Sequence, residues 1–144
     1  MLSFENDYSR AAHPAVLEAV AEANNHLYSG YGSDELSDQA KAKIREACGQ
    51  PDADVWFLVG GTQANMTVIA AALRPYEAVL CADTGHINVH ETGAVEGTGH
   101  KCIALQSRDG RISASQISVA AAMLDDNEHV AKPAMVYISM STEL

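Results

Sequence analysis

Apolar residues recur at helical spacing in three stretches of the chain. The first stretch, at positions 16–27, follows Pro14, a residue type that is favoured in the first turn of a helix. The second lies at positions 36–47 and the third at positions 117–124. Each stretch predicts a helix with one apolar face.

Short, mostly apolar runs elsewhere in the chain predict strands. They occupy residues 55–59, 78–82, 102–105 and 134–139. Strands that alternate with helices are typical of an α/β protein with a mostly parallel sheet and flanking helices, and we expect that fold class here. Because ligands of such sheets bind beyond the carboxyl ends of the strands, we expect functional residues at that edge.

The run from Val55 to Leu73 joins a predicted strand, two glycines, a threonine and a predicted helix. A helix N-terminus presents unpaired N–H groups and the positive end of a dipole, which together favour an anion such as phosphate. Gly60 and Gly61 would let the backbone turn sharply and approach a ligand, and Thr62 could cap the helix and bind the same anion. A purely structural turn is equally consistent with the spacing, since no complete GxGxxG or GxxxxGK[ST] motif is present.

Polar side chains follow the next predicted strand along the chain. His86 could stack on or protonate a ligand at the strand end, or it could be a half-exposed loop histidine. His86 and His90 could share a helix face and bind zinc, but the order HxxxHE differs from HExxH, so we predict no metal. Glu91 could be a functional acid or an exposed helix carboxylate, and Asn65 could hold the preceding turn or face a ligand.

Charge and cysteine content narrow the classes of protein that remain. The formal net charge of −10 disfavours nucleic acid and anionic membranes as partners, so a bound phosphate would be small and held locally. The three cysteines are far apart and odd in number, which suits a reducing compartment. The polar N-terminus does not resemble a signal peptide, and no apolar run approaches the length of a membrane span. We therefore expect a cytoplasmic protein.

Taken together, these motifs resemble the N-terminal part of the threonine aldolase and β-eliminating lyase family. Members of that family are pyridoxal-phosphate enzymes of the aspartate-aminotransferase fold type. The resemblance covers nearly the whole chain in family order. The matching segments are FENDYS at 4–9, HPAVLEAVAEAN at 13–24, YGSDE at 31–35, FLVGGTQAN at 57–65, ALRPYEAVLCADTGHINVHETGAVEGTGHK at 72–101 and VYISMSTEL at 136–144.

The resemblance implies that residues 1–144 form part of the cofactor-binding large domain, with an N-terminal arm and helix at 1–30 and an α/β core at 55–144. In the family, the lysine that forms a Schiff base with the cofactor follows the STEL segment, where this sequence ends. The family's lysine motif matches none of the lysines present, which are Lys41, Lys43, Lys101 and Lys132. We therefore expect a fragment that lacks the covalent anchor and is inactive alone.

The resemblance also implies roles for individual residues. Gly61 and Thr62 would hold the cofactor phosphate, and His86 would stack on the pyridine ring as the catalytic histidine. Glu91 would support the cofactor site.

Further residues are implied on the substrate side. Asn6, Ser9, Tyr31 and His129 would lie near the substrate, and Tyr31 could reach the site of a neighbouring subunit. The implied reaction cleaves a β-hydroxy amino acid to glycine and an aldehyde, in an enzyme that is a homo-oligomer at full length. The alternative is a non-catalytic α/β module that binds a phosphorylated ligand or complements a separate chain.

Overall fold

The computed structural model describes residue 6 and residues 8–140, and it places them in six helices and three strands. The helices are α1 (Pro14–Ala23), α2 (Glu35–Cys48), α3 (Gly61–Ala72), α4 (His86–Val89), α5 (Ala94–Gly97) and α6 (Ala114–Asp125). The strands are β1 (Glu77–Ala82), β2 (Lys101–Leu105) and β3 (Lys132–Val136). The chain forms two compact units, Met1–Phe57 and Leu58–Leu144, and each is described by itself.

The first unit contains α1 and α2, which begin and end at residues suited to those places. Pro14 is the first residue of α1, and the ring of His13 accepts a hydrogen bond from the first turn. Asp34 caps α2 by accepting hydrogen bonds from the backbone and hydroxyl of Ser37, and these bonds lower the pKa of Asp34. Gly49 ends α2 in the left-handed conformation. Both predicted helices are confirmed, although α1 is shorter than predicted at its C-terminal end.

The second unit is built on a parallel sheet in which the described strands have the order β2-β1-β3. The central position of β1 places Val79 opposite Cys102 of β2 and Met135 of β3. The mostly parallel sheet predicted from the sequence is confirmed. Residues that follow the carboxyl ends of β1 and β3 therefore meet at one edge.

The main cluster of the hydrophobic core lies on one face of this sheet. Val79 and Cys81 of β1 pack there against Ile69 and Leu73 of α3, Ile87 of α4 and Val95 of α5. Because α3 leads into β1 and packs on its face, the N-terminal end of α3 points toward the carboxyl edge of the sheet. The partly buried Cys102 joins the core, and its hydrogen bond with Cys81 lowers the pKa of the Cys81 thiol and raises that of Cys102.

Two strand predictions need correction. Residues 55–59 do not form a strand, and Val59 is 97% exposed, with its N–H donating to Oε1 of Gln63 at 2.8 Å. A strand requires a hydrogen-bonded neighbour, and none of the three described strands pairs with this segment. The strand predicted at 134–139 is Lys132–Val136 instead.

Candidate functional site

The N-terminus of α3 is exposed and has no side-chain cap. Gly60 is the N-cap, in an extended conformation with φ of −173°. The prediction that Thr62 caps the helix is wrong, because Thr62 lies at the second helical position. Neither Gly60 nor Gly61 has the left-handed backbone that would demand glycine, and a Cβ at either position would meet no atom within 4 Å. Since no described side chain caps the first N–H groups of α3, an anion can accept their hydrogen bonds.

The turn between β1 and α4 is tight, and its glycine is buried. Gly85 is the N-cap of α4, and a Cβ there would lie 3.0 Å from the carbonyl oxygen of Ala82 and 3.3 Å from Cβ of Cys81. This close approach places His86 directly after the carboxyl end of β1. The backbone N–H of His86 donates to Oγ of Ser139, which follows β3, at 3.2 Å.

A buried carboxylate orients the His86 ring. Glu91 is 5% exposed, and its Oε1 lies 2.8 Å from Nδ1 of His86 and accepts a 2.6 Å hydrogen bond from Nδ2 of Asn65. The interpretation of Glu91 as an exposed helix carboxylate is therefore wrong. Asn65 does not hold the preceding turn either, because its amide bonds to a residue 26 positions away. These contacts join α3, α4 and Glu91, the second residue after α4, at one edge of the sheet.

In the cluster of Asn65, His86 and Glu91, the donors and acceptors of the hydrogen bonds can be assigned. A carboxylate can only accept, so Nδ1 of a neutral His86 ring donates to Glu91 and Nε2 carries the lone pair. The side chain of His86 is 40% exposed, whereas that of Glu91 is fully buried. The other carboxylate oxygen of Glu91, Oε2, is buried without a hydrogen-bond partner among the described residues. The ring of His90 lies 5.4 Å from that of His86, measured between centroids.

The described part of the chain contains no group of three or more histidine, cysteine, aspartate or glutamate side chains arranged to hold a metal ion. It also contains no helix that is both long and apolar enough to cross a membrane.

The resemblance also implied four substrate-binding residues, and none of their described contacts is with the His86 cluster. Asn6, Ser9 and Tyr31 belong to the first unit. Oδ1 of Asn6 accepts a 2.6 Å hydrogen bond from the hydroxyl of Ser9. His129 is exposed on the connection that precedes the amino end of β3, with Nε2 3.8 Å from a carboxylate oxygen of Glu128. The roles of all four in substrate binding stay predictions.

Tyr31 has a backbone that its residue type rarely adopts. It is fully exposed, with a positive φ of 67°, which is uncommon outside glycine and costs about 1–3 kcal/mol. Together with Lys41 and Trp56 it lines an open cleft of about 470 Å³ in the first unit.

The second unit is thus an α/β sheet with an open helix N-terminus and an oriented histidine at its carboxyl edge, the arrangement of a small-molecule site in this class of protein. A family model of beta-eliminating lyases matches residues 7–144, and the chain belongs to this family. The resemblance stated from the sequence is therefore confirmed.

Relatives of the chain agree with this assignment. It is 31% identical over 143 residues to a low specificity L-threonine aldolase of Pseudomonas aeruginosa, and 29% identical to one of a Pseudomonas species. A solved structure of a threonine aldolase from Leishmania major matches with a TM-score of 0.91 and 43% identity over 96% of this chain. The expected α/β fold of this family is confirmed.

The chain spans only part of these relatives. It covers 41% of the length of each Pseudomonas aldolase and 40% of the Leishmania chain.

Proposed function

We propose that this chain supplies the phosphate-binding helix terminus and the ring-stacking histidine of a pyridoxal phosphate site in a threonine-aldolase-type lyase. Such an enzyme cleaves β-hydroxy amino acids to glycine and an aldehyde. The observation that carries the proposal is the placement of two features at one edge of the sheet. These are the open N-terminus of α3 and the His86 ring held by the buried Glu91.

The residues at the α3 terminus fit a phosphate group. The N–H groups of Gly61 and Thr62 have no intrahelical partner, and the Thr62 hydroxyl is not used to cap the helix. The open space above Gly60 and Gly61 leaves room for the phosphate oxygens. Since the chain carries a net charge of −10, this local arrangement of N–H donors must supply the attraction for the anion.

His86 fits the role of a stacking residue. Its backbone is fixed by Ser139 and its ring by Glu91, yet the side chain remains partly exposed, so one face of the imidazole can lie against a flat aromatic ligand. Pyridoxal phosphate, when bound, supplies an electron sink for the electron pair left on Cα when the Cα–Cβ bond breaks. Glu91 serves this site by holding the His86 ring in one orientation.

The lysines of the second unit are badly placed to anchor the cofactor. Lys101 and Lys132 are the first residues of β2 and β3, at the amino edge of the sheet. Each strand has five residues, about 16 Å at the usual rise of about 3.3 Å per residue, so the two lysines lie a strand length away from the carboxyl edge. We propose that the anchoring lysine comes from outside these 144 residues, in line with the partial coverage of the relatives.

The remaining roles follow the family and are part of the same proposal. Asn6, Ser9, Tyr31 and His129 would contact the substrate, in a cytoplasmic homo-oligomer. Asn6, Ser9 and Tyr31 lie in segments that match the family, whereas His129 lies outside those segments and is assigned by resemblance to a substrate-side histidine.

Binding of pyridoxamine 5′-phosphate to the 144-residue chain, followed by fluorescence, tests the proposal. This compound has the ring and phosphate of the cofactor but no aldehyde, so it forms no adventitious adducts with surface lysines. We expect it to bind reversibly, to compete with inorganic phosphate, and to bind at least tenfold more tightly than pyridoxamine. Equal binding of the two compounds would refute a phosphate site at α3.

An extension of this binding experiment distinguishes the cofactor site from the second candidate function, a non-catalytic module for phosphorylated ligands. The lack of a lysine at the carboxyl edge of the described sheet favours such a module for the chain by itself. A simple sugar phosphate that binds as tightly as pyridoxamine 5′-phosphate, and a His86→Ala variant that binds it unchanged, would support the module over the cofactor site.

A further inference from the structure

We propose that Asn65 is a positioning residue that acts through Glu91 to fix the tautomer and orientation of the His86 ring. The inference deepens the proposed function, because the ring concerned is the one that would stack on the cofactor. Asn65 itself has no described contact with His86. Its amide reaches the ring only through the carboxylate.

The carboxylate of Glu91 receives both donors on one oxygen. Oε1 is 2.6 Å from the amide nitrogen of Asn65 and 2.8 Å from Nδ1 of His86, whereas Oε2 has no hydrogen-bond partner among the described residues. Without the amide, the carboxylate could turn so that neither oxygen accepts from Nδ1 of His86. The amide of Asn65 removes that freedom, because it holds Oε1 at the position that faces the ring.

The location of Asn65 means that its bond to Glu91 connects the two parts of the proposed cofactor site. Asn65 lies on α3, whose N-terminus is the proposed phosphate site, and His86 opens α4 at the end of β1. The bond between Asn65 and Glu91 spans 26 residues and ties the position of the ring to that of the helix terminus. This bond thereby fixes the position of the His86 ring relative to the N-terminus of α3.

The burial of the Glu91 carboxyl group makes this hydrogen bond costly to lose. Glu91 is almost fully buried, and loss of a hydrogen bond to a buried carboxyl group changes an equilibrium by about tenfold. We therefore expect removal of the Asn65 amide to shift the tautomer equilibrium of the His86 ring about tenfold. The neutral ring would then be a mixture of the Nδ1–H and Nε2–H tautomers.

The test uses the 144-residue chain without cofactor, labelled with ¹⁵N-histidine. The ¹⁵N shifts of both ring nitrogens report the tautomer directly, at a pH where those shifts show the ring to be neutral. The His86 signal is assigned by its absence in His86→Gln. We expect the Nδ1–H tautomer in the unaltered chain and mixed tautomers in Asn65→Leu.

Three further variants separate a positioning role from a general loss of structure. Asn65→Asp keeps the shape of the side chain without the amide donor and should also disturb the tautomer. The same change at the exposed Asn127, which accepts rather than donates its hydrogen bond, should leave His86 unaltered. In a Glu91→Gln background, Asn65→Leu should have no added effect, since the path through the carboxylate is already broken.

The outcomes bear separately on the two proposals. A fixed Nδ1–H tautomer that persists in both Asn65 variants, or an Nε2–H tautomer in the unaltered chain, would overturn the role of Asn65. If the tautomer responds as expected but pyridoxamine 5′-phosphate does not bind, the positioning network stands and the proposed cofactor site fails.

Discussion

Helices α3 and α4 both follow a glycine N-cap, yet their surroundings differ. At α4, the space beside Gly85 is occupied by the Ala82 carbonyl and the Cys81 side chain. At α3, the space beside Gly60 and Gly61 is empty to 4 Å, and the helix start is exposed. The N-terminus of α4 is packed against β1, whereas the N-terminus of α3 is exposed to solvent.

The difference indicates what each glycine is for. Gly85 is explained by the packing of the protein itself, since a side chain there would press on a backbone oxygen. Gly60 and Gly61 have no such explanation: neither a left-handed backbone nor a neighbouring atom requires them. Their small size is instead useful to a ligand that approaches the N–H groups closely, which supports a phosphate at α3.

The largest effect is expected from Gly85→Ala. The new methyl group would lie 3.0 Å from the Ala82 carbonyl oxygen, and overpacking of this kind costs about 1–3 kcal/mol in the free energy of unfolding. Urea denaturation followed by circular dichroism measures the loss. A stability equal to that of the unaltered chain would show that the turn after β1 relaxes freely, and the contrast between the two helix starts would then disappear.

The sequence predicted most of the helices and strands of the chain. Helical spacing and apolar runs located α1, α2, α3 and α6 and the three strands of the sheet, because these signals are local. It failed at residues 55–59, where the apolar run has no strand beside it among the described residues. The pairing of strands depends on residues distant in the sequence, which a local pattern does not contain.

The same limit applies to the candidate site. The motif around Gly61 and the position of His86 were visible in the sequence, and each begins a helix, although none of the described strands is the one predicted before Gly60. The burial of Glu91 and its bond to Asn65 were not visible, because they arise only when α3 packs against α5 and the segment that precedes it. The one available signal was the apolar and glycine-rich context of Glu91, which left its exposure undecided.

Gly61→Ala is the matched test at the open start. With no atom within 4 Å, the added methyl group should leave the fold intact and raise its stability by up to about 1 kcal/mol, since alanine restricts the unfolded chain. The same methyl group would intrude on the phosphate, so we expect about tenfold weaker binding of pyridoxamine 5′-phosphate, or about 1.4 kcal/mol. Unfolding and fluorescence titrations measure the two effects independently.

Stability and binding should therefore change in opposite directions in this variant. Unchanged binding would mean that the space above Gly61 is not used by the ligand. A loss of stability comparable to that of Gly85→Ala would mean that the two helix starts do not differ as the structure indicates.

The smallest effects are expected from Thr62→Val, which removes a hydroxyl from the open start without changing the shape of the side chain. Because Thr62 does not cap α3, its loss should change stability by less than about 0.5 kcal/mol. Ser113→Ala provides the control, since Ser113 forms a capping box with Gln116 at the start of α6 and its removal should cost about 1 kcal/mol.

Binding distinguishes the threonine from an inert surface residue. If the Thr62 hydroxyl donates to the phosphate, its loss should weaken pyridoxamine 5′-phosphate by about 0.5–1.5 kcal/mol, several-fold in affinity, while binding of pyridoxamine stays the same. Equal loss for both compounds would assign the effect to the ring rather than to the phosphate. A destabilisation as large as that of Ser113→Ala would instead make Thr62 a structural residue, and α3 would then begin as α6 does, with a helix start that the protein satisfies by itself.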